Sequence, residues 1–268
     1  MYWLLYIVLI LIGIYGLIIL VYFLLQEKLL FLAGPRLQRR HRFRLASSYE
    51  EVYLESHDGS IVHGLHILHP LPKGLILYFH GNTGNLSRWA TVAEEFTTYG
   101  YQVLVVDYRG FGKSEGKRSE LALYKDAQLF YEHSKTIEEE HRIIVYGRSL
   151  GSGLAVKVAS ENQPRQLILE TPYYNLIEVA AHHVPFIPIR WVLRYRFRSD
   201  RYIKRVNCPI AIFHGTKDLI VPYSSGLKLY EQVKEDTQNM MVTIPRGRHS
   251  NLNGFPLFRE KMRELLGA

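Results

Sequence analysis

The segment Ile143-Ile144-Val145-Tyr146-Gly147-Arg148-Ser149-Leu150-Gly151 sets a serine between two glycines directly after an apolar run, and a small-residue helical pattern, Ser152-Gly153-Leu154-Ala155-Val156, follows it. A serine on a sharp strand-to-helix turn exposes its hydroxyl, and the glycines remove side chains where backbone crowds backbone. The opening of the next helix offers unpaired N–H groups to a developing negative charge. Ser149 is therefore the candidate nucleophile. A serine hydroxyl needs a base near neutral pH, and a histidine acting as base needs an acid to hold its tautomer.

Position selects these partners from twelve histidines and many acids. In an open parallel sheet the reactive groups lie beyond the carboxyl ends of the strands. His249, in Gly247-Arg248-His249-Ser250-Asn251, follows the last apolar strand pattern, Met241-Val242-Thr243-Ile244. Asp218 follows Ile210-Ala211-Ile212-Phe213 through His214-Gly215-Thr216-Lys217. Glu170 also leaves a strand and is an alternative acid. His80 and His214 precede glycines at strand ends and read as turn residues that bond backbone. Asp107 and Arg148 read as structural supports. His63, His66 and His69 lie along one strand, where His66 faces away from the other two, so no metal site is expected. Cys208, the lone cysteine, reads as a small buried filler and rules out an internal disulfide.

The elements that must carry these residues alternate. Glu51–Glu55 and Ile61–Leu68 read as strands around an Asp58-Gly59 turn. Buried strands follow at 75–79, 103–107, 143–146, 166–170, 210–213 and 241–244, with helical patterns at 87–98, 121–138, 225–233 and 257–266. This pattern predicts an α/β fold with a mostly parallel eight-stranded sheet covered by helices on both faces. The connection from Glu170 to Ile210 is too long for a simple loop and reads as a cap insertion, 171–206. Within it Arg190, Arg194, Arg198, Arg201 and Arg205 recur at near-helical spacing, which fits either a solvated helix face on a lid or a basic helix lying on a membrane. Val184-Pro185-Phe186-Ile187-Pro188 suggests the apolar roof of a pocket.

The chain has 268 residues, 47% of them hydrophobic, and a net charge of +8. Residues 1–26 contain no charged side chain. At about 1.5 Å per residue they reach about 37 Å, enough to cross a hydrocarbon layer of about 30 Å. The run is long for a signal peptide and lacks its basic start, so it reads as a transmembrane anchor. Lys28, Arg36, Arg39, Arg40, Arg42 and Arg44 crowd the following segment, 27–48, which places the remainder of the chain, 49–268, on the cytoplasmic side. The same charge attracts anionic lipid, and no nucleic-acid recognition motif accompanies it.

From about residue 50 onward the chain resembles the α/β-hydrolase-fold serine hydrolases, and is similar to the membrane-anchored, bud-emergence-like group of α/β-hydrolase-domain proteins. The shared features are His80-Gly81-Asn82, Asp107-Tyr108-Arg109-Gly110-Phe111-Gly112, Gly147-Arg148-Ser149-Leu150-Gly151, His214-Gly215-Thr216-Lys217-Asp218 and the His249 segment. The resemblance implies Ser149 as nucleophile, His249 as base and Asp218 as its orienter, in the chain order of that fold. It also implies an oxyanion hole from the backbone N–H groups of Leu150 and Asn82. The expected reaction is hydrolysis of esters or thioesters of small acyl or lipid-like substrates beside the bilayer, with no cofactor. A serine peptidase and a membrane-tethered scaffold on an inactive fold are the alternatives. Where many lipases have a glycine-rich segment, this chain has His-Gly-Asn, so lipase specificity does not transfer directly.

Overall fold

Runs of branched and aromatic residues form the central strands, buried on both faces, and amphipathic stretches between them form the covering helices. The computed structural model describes residues 2–235 and 238–267; Met1 of the expected 1–26 anchor and Asp236, Thr237 and Ala268 of the expected 49–268 domain lie outside it. In chain order the elements are α1 (Tyr2–Leu30), β1 (Leu32–Ala33), β2 (Tyr49–Glu55), β3 (Ile61–Ile67), β4 (Leu75–Phe79), β5 (Thr83–Gly84), α2 (Leu86–Glu94), β6 (Gln102–Asp107), α3 (Glu120–Ile137), β7 (Ile143–Arg148), α4 (Leu150–Ala159) and β8 (Gln166–Glu170). There follow α5 (Leu176–His183), α6 (Ile189–Val192), α7 (Ser199–Tyr202), β9 (Ile210–Gly215), α8 (Tyr223–Tyr230), β10 (Met240–Ile244) and α9 (Pro256–Leu266).

Among the described residues, one eight-stranded sheet runs β10-β9-β8-β7-β4-β6-β3-β2. The strands from β10 to β6 pair in parallel, while β3 runs antiparallel to β6 and to β2. The expected hairpin about Asp58-Gly59 is the β2–β3 pair. One face of the sheet packs against α3 and α4 through Leu123, Phe130 and Leu154. The other packs against α2 and α9 through Trp89, Phe258 and Met262.

Two segments differ from the sequence expectation. The arginine-rich cap is not one helix: α6 and α7 are short, and Phe197 between them has φ 37°. The backbone there is held from outside the cap. Gln26 accepts from Arg194 N at 2.7 Å and donates to the Val192 carbonyl at 3.1 Å. Glu120 accepts from the Arg196 and Phe197 N–H groups at 2.5 and 3.1 Å. These side chains take bonds that a continuous helix would have made internally.

The second difference is at the N-terminus. Helix α1 is long and apolar enough to cross a membrane, and it runs past Gln26 to Leu30. Segment 27–48 then wraps the sheet domain. Strand β1 pairs with β5, Phe31 and Phe43 are buried, and Lys113 donates to the carbonyls of Arg39 and His41 at 2.8 and 3.0 Å.

Candidate active site

Strand β7 carries the chain to Ser149, whose φ of 50° turns it directly into α4. The turn fits only because its glycines carry no side chain. A Cβ on Gly151 would lie 2.1 Å from the Phe79 carbonyl oxygen of the neighbouring strand. Ser149 N donates to the Glu170 carbonyl at 2.9 Å, tying the turn to β8. A left-handed non-glycine residue stores strain, and here that strain lifts a hydroxyl above the sheet.

Two loops at the same sheet edge bring the other groups to it. His249 lies in the loop after β10, with Nε2 2.8 Å from Ser149 Oγ. Its Nδ1 lies 2.8 Å from Asp218 Oδ2, in the loop after β9. A carboxylate can only accept from this ring, so Nδ1 carries the proton and donates it. That leaves the Nε2 lone pair facing the hydroxyl, able to accept its proton.

Asp218 is itself fixed on both oxygens. Oδ1 accepts from the N–H groups of Ile220 and Val221, each at 2.9 Å. Oδ2 also lies 3.3 Å from Nε2 of His214. Burial alone would raise its pKa, but the bonds from His214, His249 and Val221 N outweigh burial and hold the carboxyl well below the usual range. The group therefore stays ionised at neutral pH, as holding the His249 tautomer requires.

The flanking residues fall where the sequence places them, with one addition. Leu150 is the first residue of α4. Gly81, next to Asn82, lies close to Ser149, since a Cβ on it would be 3.8 Å from Ser149 Cβ. Asn82 is held by the end of α1 and by β1: its side-chain amide donates to the Leu30 carbonyl at 2.9 Å, and its own carbonyl accepts from Leu32 N at 2.9 Å. Glu170 is turned away from His249. It accepts from Tyr146 OH at 2.7 Å and pairs with Arg148 at 3.4 Å, so it supports the turn from below. His80 bridges to Asp107 at 3.2 Å and stacks on Trp89, and is buried.

His214 bonds backbone as expected, its Nε2 lying 3.0 Å from the Val221 carbonyl. Its contact with Asp218 was not legible in the sequence, because the shape of the turn between them decides it. His63 and His66 bond Glu51 and Gln102 instead of converging, and no metal-binding group of side chains occurs among the described residues.

Comparison with known proteins places this geometry. A family model described as "Serine aminopeptidase, S33" matches residues 70–200. The lysophosphatidylserine lipase ABHD12 of Danio rerio is 33% identical over 181 residues, which are 59% of this chain and 46% of the lipase. The chain thus matches less than half the length of that relative. An uncharacterized protein of Mycobacterium tuberculosis is 32% identical over 196 residues, 72% of this chain and 70% of that protein. Among solved structures, the Pyrococcus furiosus esterase Pf2001 superimposes with a TM-score of 0.70 over 88% of this chain and 95% of its own, at 21% identity. A cold-adapted esterase from an Arctic intertidal metagenomic library gives 0.63, covering 87% and 99%, at 17% identity. These last two likenesses establish the fold.

Proposed function

The chain belongs to the α/β-hydrolase family, and from that premise we propose that it is a membrane-anchored serine hydrolase of carboxylic esters or thioesters. The observation that carries this reading is the relay from Ser149 Oγ through His249 to Asp218, 2.8 Å at each step. His249 takes the serine proton as Oγ attacks the acyl carbonyl. The N–H groups of Leu150 and Asn82 receive the oxyanion, at the opening of α4 and in the loop after β4. The leaving group departs with the proton held on His249. Water, deprotonated by the same ring, then releases the acid and restores Ser149.

Several relatives are named as lysophosphatidylserine lipases, and together with an apolar N-terminal helix this favours acyl groups carried by membrane lipids. A fluorophosphonate probe should label the full-length protein at Ser149. Ser149→Ala should abolish labelling and lower ester turnover by about 10⁶-fold, and Asp218→Ala by about 10⁴-fold. Undiminished turnover in Ser149→Ala would sink the assignment. The description of the matching family model favours a second reading, a peptidase. Matched p-nitrophenyl ester and p-nitroanilide substrates separate the two, and preference for the anilide would select the peptidase.

The anchor reading rests on α1, and its orientation on Lys28, Arg36, Arg39, Arg40, Arg42 and Arg44. The catalytic domain should resist added protease in intact cells and be digested after permeabilisation. Digestion from outside in intact cells would reverse the orientation.

A further inference from the structure

Helix α1 is exposed at most positions and is buried or partly buried only at Ile19, Tyr22, Gln26, Glu27 and Leu30. Between this part of α1 and the cap lies a cavity of about 300 Å³, within the size range of small-molecule sites. Its α1 wall includes Tyr22, Leu29 and Leu30, and its cap wall includes Val179, Ala180 and Val184. Asn82 and Ile220 also line it. Both adjoin the relay: Asn82 follows Gly81 beside Ser149, and Ile220 N donates to Asp218. An apolar slot whose lining includes these two neighbours of the relay accommodates a hydrocarbon tail beside the nucleophile.

The source of that tail follows from the depth of the cap. Tyr15 OH donates to the Phe186 carbonyl at 2.6 Å. Tyr15 lies roughly 16 Å along the helix axis from Gln26, about half of a hydrocarbon layer of about 30 Å. The cap residue at that level, Phe186, is 84% exposed. Bare aromatic surface at that depth meets lipid at little cost, whereas in water it is a liability.

Resting on the acyl-hydrolase reading above, we propose that the C-terminal turns of α1 and the cap together form an acyl-chain site entered sideways from the bilayer. The membrane helix is then part of the specificity pocket as well as an anchor. Its ligand is one fatty acyl chain of a bilayer lipid.

The test compares full-length protein in nonionic detergent on p-nitrophenyl esters from acetate to palmitate. Leu29→Trp on α1 and Ala180→Trp on the cap fill the slot from opposite walls. Each should lower the palmitate-to-acetate ratio of kcat/KM, by about fourfold for every methylene no longer housed. Leu17→Trp, on the lipid-facing side of α1 (Leu17 is 59% exposed), should leave the ratio where it was. A ratio unmoved by the first two, or moved equally by all three, overturns the proposal.

A second measurement needs no turnover and so separates this inference from the reading it rests on. In a Ser149→Ala background, a diazirine-bearing palmitate should photolabel residues 176–184, and adding Ala180→Trp should remove that label. Label retained with the tryptophan in place overturns the site even if ester hydrolysis stands. If ester hydrolysis fails while the label is lost as expected, the site stands and the catalytic reading falls.

Discussion

Asp218 Oδ2 faces two imidazoles, and the second sets how firmly the first is held. His214 Nε2 lies between the Val221 carbonyl at 3.0 Å and Asp218 at 3.3 Å, so its proton sits on Nε2 and bridges both acceptors. Its Nδ1 has no hydrogen-bond partner among the described residues, and a Cβ on Gly226 would lie 2.2 Å from it. The ring is wedged between α8 and the acid. Gly226→Ala should therefore push His214 into Asp218 or open α8 away from β9, costing about 1–3 kcal/mol as overpacking does. A lowered thermal midpoint together with slower fluorophosphonate labelling of Ser149 is the expected pair of results. A midpoint drop with an unchanged labelling rate would mean that His214 supports the fold and leaves the relay untouched. Ser149, Asp218 and His249 were legible in the sequence because each directly follows a strand or its turn, and in this fold that position faces the site. His214 was legible only as a turn residue, since its bond to Asp218 depends on how Gly215-Thr216-Lys217 bends back.

At the level of elements, the least legible feature is the seam between α1 and the cap. An apolar run announces a helix for a membrane, and α1 is one, but Gln26 is the residue of that helix that becomes buried. Its amide bonds the Val192 carbonyl, Arg194 N and the Phe23 carbonyl. Near-helical arginine spacing in the cap pointed to a longer helix. Spacing cannot show that Gln26 and Glu120 would compete for its backbone groups. Gln26→Leu should leave the Val192 and Arg194 groups without partners, at about 1–3 kcal/mol for each buried group. Limited proteolysis reads the result: cleavage within residues 184–197 should accelerate in the variant, and an unchanged rate would mean that apolar contact alone holds the seam. The sheet, in contrast, was legible strand by strand. Its central strands β4, β6, β7, β8 and β9 are buried on both faces, so composition alone marks them, and the β2–β3 hairpin carries an Asp-Gly turn. Helix ends differed by a few residues because α2 runs on into a 3-10 turn at Glu95–Tyr99, and such endings leave little trace in hydrophobic period.

Across the whole molecule, the basic segment after α1 is joined to the sheet domain through a buried histidine, and that makes the join sensitive to pH. His63 on β3 is buried, stacks on Phe43 at 5.9 Å and lies 4.8 Å from the Tyr53 ring. Its Nε2 is 3.0 Å from Glu51, which also pairs with Lys113 at 2.5 Å, and Lys113 holds the carbonyls of Arg39 and His41. Burial lowers the His63 pKa, Lys113 adds to that, and the carboxylates of Asp107 and Glu51 only partly offset it. The ring is therefore neutral in the folded protein at pH 7 and donates to Glu51 from Nε2. In the unfolded chain the same ring titrates near its ordinary value of about 6.5. Between that value and the lower folded one, the unfolded state binds more protons. Stability from the neutral ring is thus complete above about pH 6.5 and is lost as the pH falls toward the folded pKa, at no more than about 1.4 kcal/mol per pH unit for one proton. Urea unfolding of the full-length protein in detergent should show a midpoint that declines from pH 7 to pH 5.5, and His63→Gln, which does not titrate, should flatten that decline. His133, whose pKa burial also lowers, contributes in the same direction, so the variant should reduce the slope without removing it. An identical slope in His63→Gln would place the pH response elsewhere. Acidification would then leave the wrap of residues 39–43 intact.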